Sequence, residues 1–284
     1  MPQPQLNEPR TVTSATAFIG DAPALPDEPA FVRGPREFAE AFPAGGTGEK
    51  AGEKAGGKTP SFVRDAVLGH FRNGGGGVWI LGTAGRGGDR VAAYRSALAE
   101  LERVPGITLV VAPDLWRAED EADEIAESIA EHCGRMGDRF ALLHTRRGLA
   151  PADMKSRPFA LKEPAARFVA VHYPWITVTE ADGTERLVPA SGHVSGLYSR
   201  LDAEQGVHRA PVGPLLGVVK HERDLSDDEH ASLGGLGVNC LRSFPGQGIR
   251  VTGARTLSTD PDGQHLGVRR PVGRALAPLP EEIR

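Results

Sequence analysis

The chain has 284 residues, enough for one large domain or two small ones, and a formal net charge of −4. This charge argues against a general electrostatic attraction to nucleic acid or to an anionic membrane surface. The two cysteines, Cys133 and Cys240, are too few for a disulfide framework, so the composition favours a reducing cytoplasm.

The first predicted elements lie near the N-terminus. Residues 1–10 are polar and proline-rich and lack the basic-then-apolar order of a secretory signal, so they are predicted to be a disordered tail. Residues 11–20 are rich in β-branched and small side chains, which predicts a strand. Residues 34–42 predict a short helix with Phe38 and Phe42 on one face.

A low-complexity run of Gly, Glu, Lys and Ala follows at residues 43–60. Such a run has little to bury, so it is predicted to be a mobile linker. No apolar run in the chain approaches the length needed to span a membrane, so we expect no membrane insertion.

From Ser61 onward, strand and helix patterns alternate. Ser61 and Asp89 are candidate caps of two helices, and residues 119–136 predict the longest helix, with acidic residues at its start as the helix dipole favours. The short apolar runs between these helices predict buried strands at residues 78–81, 108–112, 140–143 and 168–173. This alternation predicts an α/β fold with a mixed, largely parallel sheet flanked by helices.

The last third predicts a further helix at residues 191–204 and a short one capped by Ser226. Further strands are predicted at residues 215–219, 238–244 and 249–255. Gly246, Gln247 and Gly248 separate the last two, which predicts a C-terminal β-hairpin.

The glycine-rich loop from Gly82 to Gly88 follows a predicted strand and precedes a predicted helix, which is where a phosphate would bind. Asp114 ends the next strand, where a dinucleotide fold keeps its ribose-binding acid. However, Gly88 and Asp89 replace the lysine and Ser/Thr of a phosphate-binding loop, and Gly-x-Gly-x-x-Gly is not matched. A plain strand-to-helix loop is therefore the favoured interpretation.

Two other patterns resemble catalytic or metal sites. The stretch from Gly192 to Gly196 has one residue too many for a nucleophile elbow, so a helix with closely packed small residues is favoured. None of the nine histidines has metal-ligand spacing, and His193 and His208 are interpreted as hydrogen-bonded structural residues. We therefore predict no catalytic, cofactor-binding or metal-binding residue, no cofactor, and no enzymatic activity.

Several segments in the second half of the chain carry a resemblance through their order and spacing: Tyr173-Pro174-Trp175-Ile176 and residues 188–198, 206–211, 222–226, 237–242 and 248–258. Through these segments the stretch from Pro174 to Ser258 resembles the sheath proteins of contractile phage tails and phage-like contractile injection systems. The N-terminal half adds weaker matches at residues 17–20, 38–42 and 71–76, so the resemblance covers most of residues 11–270.

The resemblance implies an α/β core whose copies stack around an inner tube and shorten to drive the tube into a target. Terminal arms in this family add strands to the sheets of neighbouring subunits. The implied partners are sheath protomers, an inner tube protein, and baseplate or cap components, without nucleic acid. Assembly is expected in the cytoplasm.

Family members usually begin with an extended arm and continue into a C-terminal domain, whereas this sequence starts with a short polar tail and stops at Arg284. The chain is therefore expected to be a sheath core without that domain.

Three hypotheses remain open: a working or accessory sheath subunit, a degenerate paralogue that does not assemble, and an α/β nucleotide-binding enzyme using the loop from Gly82 to Gly88. The expected divisions are a tail (1–10), the first strand and helix of the core (11–42), a linker (43–60), the main α/β core (61–270) and a proline-rich tail (271–284).

Overall fold

The structure is a computed structural model, and it describes residues 15–43, 61–117, 119–180 and 182–266. The predicted tails, 1–10 and 271–284, and the predicted linker from residue 44 to residue 60 lie outside the described residues. The twelve strands of the described residues are β1 (Ala15–Gly20), β2 (Ala30–Val32), β3 (Val78–Gly82), β4 (Ile107–Val111), β5 (Phe140–His144), β6 (Val169–Tyr173), β7 (Ile176–Thr179), β8 (Glu185–Val188), β9 (Gly213–Pro214), β10 (Val218–His221), β11 (Val238–Phe244) and β12 (Gly248–Val251). The α-helices among them are α1 (Pro35–Ala41), α2 (Val63–Arg72), α3 (Arg90–Leu101), α4 (Ala122–Met136), α5 (Ser191–Gln205) and α6 (Asp227–Gly235).

Nine strands form one sheet in the order β2-β3-β1-β4-β5-β6-β11-β12-β9. The six strands from β3 to β11 are parallel, while β2 at one end and β12 and β9 at the other are antiparallel to their neighbours. Every residue of β1, β5 and β6 is buried, as expected for strands covered on both faces. This confirms the predicted mixed, largely parallel sheet and its C-terminal hairpin of β11 and β12.

The helices begin and end where local chemistry favours it. Asp89 caps α3 by accepting a hydrogen bond from the amide of Ala92, and Ser226 forms a capping box with Glu229 at the start of α6. α4 ends at Gly137, whose φ of 69° suits glycine. A 3₁₀ turn at Glu119–Glu121 precedes α4, so this helix starts three residues later than predicted.

The helix α5 packs against α2 through its glycines. A Cβ atom on Gly192 would lie 2.3 Å from Cα of Ala66, and one on Gly196 would lie 2.2 Å from the carbonyl oxygen of His70. The interpretation of this stretch as a helix with closely packed small residues is therefore confirmed. The nucleophile-elbow geometry is absent there, because Ser195 lies buried within α5.

A second sheet of three antiparallel strands, in the order β10-β7-β8, was not predicted. Its strands are four residues each, too short to give a clear alternating pattern. The predicted strand at 215–219 is wrong in its bounds: residues 215–217 lie between β9 of the large sheet and β10 of the small one, Gly217 has a φ of +74°, and only Val218 and Val219 fall in a strand, β10.

Two boundaries also differ from the sequence prediction. The predicted strand at 249–255 ends at Val251, and α2 begins at Val63 without a side-chain cap at Phe62. Ser61 lies one residue earlier, where its hydroxyl accepts a hydrogen bond from the amide of Val63 at 3.3 Å.

Candidate assembly surface

The segment from Val212 to His221 connects an edge of the large sheet to an edge of the small sheet. β9 pairs with β12 and is the last strand of the large sheet, while β10 pairs with β7 and is an outer strand of the small sheet. Because outer strands are where one chain can meet another, this segment is the first candidate for an assembly surface.

The buried side chain of Asn73, at the C-terminal end of α2, holds the backbone of this segment. Its Oδ1 accepts a hydrogen bond from the amide of Leu216 at 2.8 Å, and its Nδ2 donates to the carbonyl of the same residue at 3.1 Å. Arg200 on α5 adds a hydrogen bond from Nη2 to the carbonyl of Pro214 at 3.2 Å. Leu216 is thus fixed from both sides although it lies on the surface.

Large apolar side chains are exposed along this segment. Among the residues that the structure describes, the exposed large hydrophobic residues are Val212 (40%), Leu216 (45%) and Val219 (52%). The pairing of β10 with β7 shifts register between Val218 and Lys220, so Val219 sits at a β-bulge. We call these three residues the 212–219 patch.

The structure places Asp114 in a different role from the one that a dinucleotide site would require. Its fully buried carboxylate accepts hydrogen bonds from the amide of Asp21 (2.8 Å), the hydroxyl of Ser61 (2.8 Å) and the amide of Phe62 (2.7 Å). Burial raises the pKa of Asp114, while these hydrogen bonds and Arg117 oppose the shift. The carboxylate joins β1, β4 and the start of α2, so it is not available to a ribose.

The loop from Gly82 to Gly88 is closed by its own side chains. Arg86 donates from Nε to the carbonyl of Gly82 at 2.9 Å and forms an ion pair with Glu100 at 2.7 Å. The carboxylate of Asp89 already accepts a hydrogen bond of 2.7 Å from the amide of Ala92 at the start of α3. The arrangement is that of a structural turn, and it agrees with the favoured interpretation of this loop.

Four buried histidines lie on α5 or on the elements packed near it. Burial lowers the pKa of His70 and His172 to about 4 and that of His144 and His193 to about 3, so all four are neutral near pH 7. His70 bonds the hydroxyl of Ser195 at 2.8 Å and His172 bonds that of Tyr198 at 3.2 Å.

His193, interpreted from the sequence as a hydrogen-bonded structural residue, has no hydrogen-bond partner at Nδ1 within the described residues. Its ring is held by packing, since it fills the space beside Gly69. His208 is exposed. Among the described residues, no group of three or more His, Cys, Asp or Glu side chains is placed to hold a metal ion.

The family model of the phage tail sheath protein central domain matches residues 87–257, which is more than half of the chain. The chain belongs to the phage tail sheath protein family. No curated protein matches its sequence. Within the described residues of this sheath protein, no helix combines the length and apolar character needed to span a bilayer.

Solved structures of contractile injection systems share the fold of this sheath protein. A chain of the anti-feeding prophage (AFP) helical sheath in its contracted state superposes with a TM-score of 0.72 at 23% identity, covering 93% of this chain and 68% of that one. A chain of the AFP baseplate gives a TM-score of 0.73 at 22% identity, covering 94% and 68%. A chain of the PVC sheath complex of an extracellular contractile injection system, also contracted, gives 0.67 at 20%, covering 96% and 71%.

These comparisons identify a structural sheath-type protein, and none of them points to a nucleotide-binding enzyme. The residues quoted for the resemblance fall on the elements that build the surface: Asn73 closes α2, and residues 206–211 lead into the 212–219 patch. The sequence does not reveal that Asn73 holds Leu216, because the two residues are 143 positions apart. An asparagine before four glycines indicates a helix end, but it gives no information about a distant partner.

Proposed function

We propose that this sheath protein acts as a subunit of a phage-like contractile injection system, packing against sheath protomers around an inner tube. The observation that carries the proposal is the 212–219 patch, where apolar side chains are exposed on a backbone fixed by Asn73 and Arg200. Rigid, exposed apolar groups favour association, because little conformational entropy is lost when they bind.

The polar groups of the core support a structural role. The buried Asp114 is used to join three elements, and the buried histidines are neutral. Catalysis requires a positioned nucleophile or acid–base pair in reach of a substrate, and neither the loop from Gly82 to Gly88 nor the stretch from Gly192 to Gly196 supplies one. We therefore propose that the protein works without a cofactor and without catalysis.

The proposed partners follow from the same role. They are sheath protomers, either copies of this chain or a longer paralogue, together with the inner tube protein and baseplate or cap components. Strand addition by a neighbour's arm is proposed at the outer edge of β2 or β8, since each of these strands pairs with a single neighbour among the described residues. Assembly is proposed to occur in the cytoplasm, with residues 11–42 and 61–270 forming the core.

Co-sedimentation tests this function. The purified chain is mixed with a full-length sheath protein and the tube protein of the same apparatus, and pellets are examined by negative-stain electron microscopy. We expect the chain to pellet with sheath-coated tubes and to stay in the supernatant with the tube protein alone. A chain that remains in the supernatant at every ratio would contradict the proposal.

A thermal-shift screen addresses the enzyme alternative. A nucleotide at 100 times its dissociation constant would stabilise the fold by about 2.7 kcal/mol. We expect no shift with ATP, GTP, NAD or FAD, because Arg86 and Asp89 occupy the loop. A shift that is lost in Arg86→Ala would instead favour a nucleotide site.

A further inference from the structure

The backbone of β9, beside the 212–219 patch, cannot pair with an incoming strand. The amide of Val212 donates to Ala210, that of Leu215 to Ile249, and that of Leu216 to Asn73, while Pro214 has no amide hydrogen. Strand addition needs free backbone donors. A partner that covers the part of the patch formed by Val212 and Leu216 must therefore bind side chains.

The rim of the patch is basic. Arg72 lies against Gly217, Arg200 donates to the carbonyl of Pro214, and Arg209 is exposed three positions before Val212. Within the described residues, none of these three guanidinium groups forms an ion pair. Such a rim favours a partner surface of negative charge.

A negatively charged surface of this kind lies on the same chain, at the start of α4. Asp120, Asp123 and Glu124 are exposed and have no ion-pair partner among the described residues. Trp116, in the turn just before them, is half-buried and stacked on Phe159 with ring centroids 5.6 Å apart. A fixed, partly exposed aromatic ring beside acidic residues complements an apolar patch with a basic rim.

We propose that the 212–219 patch binds a second copy of this chain at the acidic start of its α4. This inference rests on the proposed assembly function and names the partner surface. Because the patch of one copy meets a different surface on the next, a pair of copies keeps one free patch and one free acidic surface. The contact is therefore head-to-tail.

Charge reversal on each surface tests the proposal by sedimentation velocity over a concentration series. One variant carries Arg72→Glu and Arg209→Glu, and the other carries Asp123→Lys and Glu124→Lys. The matched control variants are Lys155→Glu and Glu28→Lys, which reverse exposed charges elsewhere. Circular dichroism and thermal melts show that each variant has folded, and the neutral change Leu216→Ser tests the apolar contact without altering the charges of the rim.

We expect the wild-type chain and the two controls to associate with increasing concentration. Each charge-reversed variant should associate at least about tenfold more weakly, because like charges then face each other. An equimolar mixture of the two variants should recover the association, and Leu216→Ser should weaken it.

A wild-type chain that stays monomeric at every concentration overturns the inference, as do variants that associate as wild type or a mixture that fails to recover. These results are distinguishable from failure of the proposed function. A chain that pellets with full-length sheath protein but does not bind its own copies keeps that function and loses this contact.

Discussion

Two buried asparagines hold surface segments by the same pattern of hydrogen bonds. Asn73 pairs with both backbone groups of Leu216, and Asn239 accepts from the amide of Arg255 at 2.7 Å while donating to its carbonyl at 2.8 Å. Each side-chain amide thus takes the place of a neighbouring strand. Leu216 and Arg255 lie beyond the ends of β9 and β12, where the hydrogen bonds between strands have stopped.

Replacing Asn73 with Ala should loosen the 212–219 patch. The substitution leaves the amide and carbonyl of Leu216 without this partner, and we expect a loss of about 2–4 kcal/mol in the free energy of unfolding. Hydrogen exchange should accelerate at residues 212–218. Asn239→Ala is the matched control, since it should cost a similar amount but accelerate exchange at residues 252–256. Equal exchange patterns in the two variants would contradict the assignment.

Arg186 on β8 joins the small sheet to α2. Its Nη1 lies 3.2 Å from Oδ2 of Asp65 and 3.8 Å from Oε1 of Glu180, its Nη2 donates to the carbonyl of Ser61, and its guanidinium lies over the ring of Phe62. Burial raises the pKa of Asp65 to about 7, with Arg186 opposing the shift and the nearby Glu180 and Asp114 adding to it. The 3.2 Å contact lacks hydrogen-bond geometry, which agrees with burial prevailing over the ion pair.

The raised pKa of Asp65 predicts a pH dependence with a definite sign. Between about pH 4 and pH 7 the Asp65 carboxyl is protonated in the folded chain and ionised in the unfolded chain. The free energy of unfolding therefore falls as the pH rises through this range, and the stabilisation from the bound proton is lost above pH 7. The side chain of Asp65→Asn cannot ionise, so this variant does not lose stability in the same way. Its free energy of unfolding relative to that of wild type should rise by on the order of 1–3 kcal/mol between pH 5 and pH 8. Urea unfolding at several pH values measures this change, with exposed Asp123→Asn as control. Parallel pH profiles for Asp65→Asn and wild type would disprove the shift.

At the scale of the elements, the sequence predicts what local chemistry determines. Asp89 and Ser226 cap α3 and α6 as expected, and the buried parallel strands match their apolar runs. The small sheet escapes prediction because strands of four residues become stable only through pairing with distant partners. Gly217 shows the same limit: an isolated glycine in an apolar run does not reveal that the chain passes from one sheet to the other.

The contact between α2 and α5 depends on the absence of a side chain at Gly196. In Gly196→Ala the new Cβ would lie 2.2 Å from the carbonyl oxygen of His70 and 2.8 Å from Cβ of Asn73, so the helices must separate. We expect a loss of about 2–4 kcal/mol, or failure to fold. The control is Gly234→Ala on α6, where nothing lies within 4 Å of the new atom and alanine should be neutral or stabilising by up to about 1 kcal/mol. Comparable melting temperatures for both variants would refute the close packing.

At the scale of the whole molecule, the 212–219 patch and the acidic start of α4 are separate surfaces of one chain, and this determines how copies add. An interface in which the same surface meets itself is complete at a dimer, whereas a contact between two different surfaces leaves each complex able to grow. Sedimentation of the wild-type chain should therefore show species larger than dimers as concentration rises, without a dimer plateau.

Because the rim of the patch is charged and exposed, raising the salt from 0.05 M to about 0.5 M should weaken growth, since the Debye length becomes shorter than the spacing of surface charges. Growth that ends at a dimer would indicate a symmetric contact, and growth unaffected by salt would show that the arginines of the rim do not contribute to it.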